Sequence, residues 1–126
     1  MTQYLGIDWG EKRIGLALGD GEVKIAIPFK TVSSVNELLQ VIKEEEINFI
    51  VLGSPQKMNG ASADNPDWLK FVALLKEKIS CPLVFLDERL SSLAADALSG
   101  SKKTKAGRDE IAASIILQNY FDKRPV

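Results

Sequence analysis

Residues 4–20 read YLGIDWGEKRIGLALGD: an apolar run holding one carboxylate, Asp8, then the turn-rich GEK, then a second apolar run. Two such runs with so short a connector predict neighbouring antiparallel strands over residues 3–9 and 13–19. A third strand, over 23–29, follows across GDG and completes a meander. Asp8 is the unusual member of this stretch. A carboxylate at the end of a buried strand is costly unless something positive lies against it. As a plain turn aspartate it could equally accept N–H bonds around Gly10, and the residues alone leave the two readings level.

Outward from the meander, SVNE at 34–37 fits a capping box, and Val35, Leu38, Leu39 and Ile42 recur at helical spacing, predicting a helix to about Glu46. NFIVLG at 48–53 is continuously apolar, as expected for a strand covered on both faces in a parallel arrangement and lying centrally. A loop, SPQKMNGASADN, leads to Asn65 and Pro66, a cap and first helical position, and Trp68, Phe71, Val72, Leu75 and Ile79 then mark one buried helical face. CPLVFL at 81–86 reads as a fifth strand. Ser91 or Ser92 can cap a short helix to about Leu98, the small and basic SGSKKTKAG is expected to be mobile, and a last helix over 108–122 puts Asp109, Ala113, Ile116 and Tyr120 on one face. The order βββαβαβα predicts an α/β domain over 1–126: a five-stranded mixed sheet, the antiparallel meander of strands 1 to 3 plus parallel strands, flanked by helices on both faces.

Composition narrows the chemistry. The 126 residues suit one domain, 45% apolar and 26% charged, and no stretch approaches the roughly 20 apolar residues that cross a bilayer. The N-terminus opens on strand-like sequence instead of a leader, so a cytoplasmic location without membrane association is expected. Cys81, the single cysteine, allows no intrachain disulfide and reads as a core residue at a strand start. The absence of histidine removes Ser-His and Cys-His nucleophiles, imidazole metal sites and the usual neutral-pH general base. Any metal must therefore be held by carboxylates, which favour Mg²⁺ or Mn²⁺. A net charge of −1 gives no global attraction to nucleic acid, so a basic footprint must be local.

Three acids sit where the backbone nears the core: Asp8, Glu88 just after strand 5, and Asp109 at the head of the last helix. Strands 1 and 5 could deliver theirs to one edge of the sheet, and the small Ala112 and Ala113 would let the last helix bring Asp109 over it. Clustered carboxylates need a cation between them, and a divalent pair could clamp the oxygens of a phosphodiester. Each acid also has a plain reading: Glu88 with Arg89 as a solvated pair, and Asp109 as a residue favoured by the helix dipole.

LGIDWGEKRIGLALGD, VLGSPQKMNG, LDERLSSLAADAL and RDEIAASIILQNYFD occur in the order, and nearly the spacing, of the YqgF family, which this chain resembles from about residue 3 to 122. Members resemble Holliday-junction resolvases and are described as pre-16S rRNA nucleases. The resemblance implies a ribonuclease H-like fold and a metal-dependent triad of Asp8, Glu88 and Asp109, with Mg²⁺ or Mn²⁺ activating water. Trp9 replaces a more common tyrosine or phenylalanine, and Ser91 with Ser92 a threonine pair, without change of chemical type.

The resemblance also draws in Arg13, Gly53, Pro55 and Asn59. Arg13 either contacts a phosphate or pairs with a nearby acid. The loop holding Asn59 either lines a substrate cleft or merely connects. Lys102, Lys103, Lys105 and Arg108 make KKTKAGR the densest positive run, suited to a phosphate backbone, though a solvated loop would look the same. Trp9 and Trp68 could stack bases, although core packing is the default for either.

The acids point to a metal-dependent nuclease, and the resemblance implies endonucleolytic processing of the 5′ end of pre-16S rRNA, with the small ribosomal subunit precursor as partner and a monomer or weak homodimer as the expected working form. A resolvase acting on branched DNA and a non-catalytic RNA-binding assembly factor are the alternatives. GIDWGEKRIG also looks like the first phosphate loop of the actin and heat-shock ATPases, but 126 residues supply one lobe where those proteins close two.

Overall fold

The computed structural model describes residues 2–10, 12–54, 66–87 and 108–123. Five strands are present: β1 (Gln3–Trp9), β2 (Ile14–Asp20), β3 (Ile25–Val32), β4 (Phe49–Ser54) and β5 (Leu83–Asp87). They form one sheet in the order β3-β2-β1-β4-β5. β1 pairs antiparallel with β2 and β2 with β3, whereas β4 runs parallel to both β1 and β5. The mixed sheet expected from the meander and the later apolar runs is therefore the sheet observed. β1, not β4, occupies its centre, because β4 enters beside β1 and leaves β5 as the far edge. β4 is nonetheless covered on both faces: Ile50, Val51 and Leu52 are wholly buried.

Helices α1 (Val35–Glu44) and α2 (Pro66–Lys78) cover one face and α3 (Arg108–Lys123) the other. The first layer joins Leu5, Ile7, Leu16, Ile50 and Leu52 to Leu38, Phe71 and Leu75. The second joins Tyr4, Ala17 and Val51 to Ala113, Ile116, Leu117 and Phe121. Each fully buried Leu or Ile contributes about 1.5–3 kcal/mol, so these alternating strand residues supply most of what fixes the sheet between its layers. The buried stripe of α3 is wider than its sequence spacing indicates. Leu117 and Phe121 carry it, Tyr120 packs at its border, and Ala112 turns aside into a separate cluster with Ile111 and Ile115.

Ser34 caps α1 as its spacing predicts, its Oγ accepting from the Glu37 N–H at 3.2 Å. The reciprocal half of the box is rerouted: the Glu37 carboxylate accepts from the Ser33 hydroxyl at 2.6 Å. At the other end Glu46 takes a left-handed φ of 52°, and the Ile47 N–H reaches back to the Ile42 carbonyl. That is a Schellman closure, which stops the helix two residues before the expected Glu46. β3 runs later than expected, to Val32, because a register shift opposite Leu16/Ala17 absorbs one residue and lets Val32 pair with Ile14 and bury. The short helix expected after Ser91 and the mobile basic segment lie outside the described residues. No helix among the described residues is long and apolar enough to cross a membrane.

Candidate functional site

Strand alternation decides where Asp8 points. Tyr4 belongs to the layer under α3, and an added Cβ on Gly6 would lie 2.7 Å from Leu117 Cβ and 2.8 Å from the Ala113 carbonyl. Asp8, two residues on, faces the same side. On β2 the matching positions are Gly15, Ala17 and Gly19, where Ala17 is buried beneath α3 and a Cβ on Gly19 would lie 2.7 Å from the Phe121 ring. Glycines on two neighbouring strands thus form the bed into which α3 sinks.

At the upper end of that bed, Gly15 pairs across the ladder with Asp8. A Cβ on Gly15 would collide with the Asp109 carbonyl and lie 2.9 Å from Asp109 Cβ. Cross-strand partners hold their Cβ positions about 4.5–5.5 Å apart, which places the Cβ atoms of Asp8 and Asp109 within about 8 Å of each other. Two carboxylates mounted at that separation can reach a common cation. Both are partly exposed, Asp109 at 32%.

Arg13 closes this end of the site, its Nε 3.3 Å from Asp109 Oδ2. Of its two sequence readings the ion pair is the one observed. With the Arg13 side chain 72% exposed, that pair adds little stability, and it puts a positive charge beside Asp109. Glu110 accepts from the Thr31 hydroxyl at 3.1 Å, tying the first turn of α3 to the edge strand.

Of the other predicted positions, Gly53 is buried in β4, level with Leu86 of β5. Glu88, Pro55, Asn59, Lys102, Lys103 and Lys105 lie outside the described residues, as does the side chain of Arg108, whose backbone begins α3. β5 ends at Asp87, directly before Glu88 in the chain. Among the described residues no three acids or cysteines gather as a metal site, while Asp8 and Asp109 are brought near each other through Gly15. Trp68 is 5% exposed and packed in the core, which removes it as a stacking platform, whereas Trp9 is only partly buried. Cys81 is a free, partly buried thiol whose pKa is raised by burial.

Gly15 is the residue that sequence reasoning missed. Its signal was present: Gly6, Gly15 and Gly19 all fall on one side of a two-stranded hairpin, and a run of glycines on a buried face marks close backbone approach.

Comparison with known proteins decides the lineage. The family model described as "RuvX: Holliday junction resolvase" matches residues 2–123. The chain belongs to the RuvX family. This bears out the resemblance to the YqgF family, which is the same group, and places the chain among nuclease enzymes. RuvX relatives named "Putative pre-16S rRNA nuclease" include one from Chloroflexus aurantiacus, 36% identical over 95% of this chain and 86% of its own. Another, from a Roseiflexus strain, is 35% identical over 97% and 95%. The solved structure "T. thermophilus RuvC in complex with Holliday junction substrate" superposes with a TM-score of 0.62 at 14% identity, covering 95% of this chain and 94% of that one. The fold is therefore RuvC-like, within the ribonuclease H-like class.

Proposed function

We propose that this RuvX protein is a divalent-metal-dependent endonuclease that processes the 5′ end of precursor 16S rRNA, with Asp8, Glu88 and Asp109 as its catalytic acids. The single observation that carries the site is the convergence of Asp8 and Asp109 over Gly15 from opposite ends of the sequence. Oxygen-only donors with no histidine suit a hard ion, Mg²⁺ or Mn²⁺, and a partly exposed pair leaves room for the further oxygens such an ion keeps. The bound ion would supply charge neutralisation and Lewis-acid activation at the scissile phosphate.

The chain's own residues do the rest. The Asp109 backbone rests on Gly15, and in this reading that contact would hold its carboxylate near Asp8 before substrate arrives. Arg13, exposed at the same edge, can hold a backbone phosphate alongside its contact to Asp109. Asn59, Lys102, Lys103, Lys105 and Arg108, named from the sequence, are the further nucleic-acid contacts this reading assigns. The names of relatives spanning nearly the whole chain support precursor rRNA as substrate; the small-subunit precursor and the cytoplasm are the partner and setting proposed with it.

The test compares wild type with Asp8→Asn on a precursor-rRNA 5′ segment and on a four-way DNA junction, in Mn²⁺ and in EDTA. Cutting of the RNA by wild type in Mn²⁺ alone is expected. Preference for the junction would move the substrate to branched DNA, and salt-sensitive RNA binding without any cutting would make the chain an assembly factor.

A further inference from the structure

A second feature lies at the same end of β1 on the opposite face. A cavity of about 250 Å³ is bordered by Trp9, Gly10, Ser33, Asp67, Lys70 and Phe71. It is smaller than the roughly 300–1,000 Å³ of sites for drug-sized ligands, so it suits one flat ring system. The Trp9 ring is fixed there by an edge contact to Trp68, centroids 5.6 Å apart, and by Phe71 at 6.1 Å. Asp67 and Lys70 put one charge of each sign on the rim, which gives a bare phosphate no net attraction and a neutral ring edge both an acceptor and donors.

Position says what the ring belongs to. Trp9 follows Asp8 directly, their Cα atoms about 3.8 Å apart, with the two side chains on opposite faces of β1. A strand crossing the end of β1 therefore meets Asp8 on one side and this cavity on the other.

We propose that the cavity beside Trp9 holds one unpaired base of the substrate strand, stacked on the indole, next to the phosphate presented to Asp8 and Asp109. It rests on the nuclease reading for the strand it names. Because a base stacks whatever its sequence, such a site selects for a nucleotide free of its own helix.

The experiment uses the full chain carrying Trp68→Phe, which leaves Trp9 as the sole tryptophan. In EDTA this protein is titrated with fluorescein-labelled octauridylate and with an abasic octamer of the same backbone. Octauridylate is expected to quench Trp9 emission along the anisotropy binding curve, and the abasic strand to bind about tenfold more weakly without quenching. Trp9→Leu, its fold checked by circular dichroism, is expected to bind the two strands alike. If that variant does not fold, quenching and the abasic comparison decide alone. Unchanged Trp9 emission at saturation, equal affinity for both strands, or no binding of either would overturn the proposal. Mn²⁺-dependent cutting by a protein whose Trp9 stays unquenched would remove the base site and keep the nuclease. Quenching without cutting in any metal would do the reverse.

Discussion

At Gly15 the side chain is absent because the Asp109 backbone occupies its place. Gly15→Ala must lift the first turn of α3, at a cost of about 1–3 kcal/mol for overpacking. A displacement near 1 Å at a catalytic group costs on the order of 100-fold, so nuclease activity should fall by that much. Gly19→Ala is the control, since there the neighbour is the Phe121 ring, which can shift, far from Asp8. It should lower the melting temperature and keep the cutting rate. A Gly15→Ala protein with wild-type activity would show that Asp109 does not depend on this contact. Gln118 makes a different point at the same scale. Its amide accepts from the Ala26 N–H at 2.9 Å and donates to the Lys24 carbonyl at 2.9 Å, as a paired strand would. Gln118→Ala uncovers this part of the β3 edge, where Pro28 already lacks an N–H. Loss of about 1 kcal/mol per hydrogen bond predicts amide exchange at Ala26 roughly 5–10-fold faster, measurable by NMR.

Among the elements, α1 shows both what periodicity reads and what it misses. Its N-terminus was legible because Ser34 and Glu37 have the capping spacing. Its end was not, since a glutamate at a left-handed position gives none of the signal a glycine would. Glu46 is exposed, so Glu46→Gly should relieve that backbone strain and stabilise the protein by about 1 kcal/mol, raising the melting temperature by roughly 3–5 °C. An unchanged or lower melting temperature would mean the Glu46 side chain contributes more than its backbone costs. The strands were legible for a simpler reason: their apolar runs face helices on one or both sides. The breadth of α3 was harder to read, because Leu117 and Phe121 earn their burial from glycines on other strands, and no single-segment pattern carries that information.

For the molecule as a whole, the order of elements was readable because the tight connectors of the meander force antiparallel neighbours and the helix-linked strands can only return parallel. The site was readable in part. Asp8 stood out as a charge in an apolar run, but that Asp109 meets it depends on α3 crossing β2 at Gly15, a tertiary fact. The central claim is that Asp8, Glu88 and Asp109 share one divalent ion. Its most direct test is calorimetric titration of Mn²⁺ into wild type and into Asp8→Asn, Glu88→Gln and Asp109→Asn. The account predicts a carboxylate site in wild type that each substitution weakens by at least about tenfold. Equal Mn²⁺ affinity in all four proteins would contradict it.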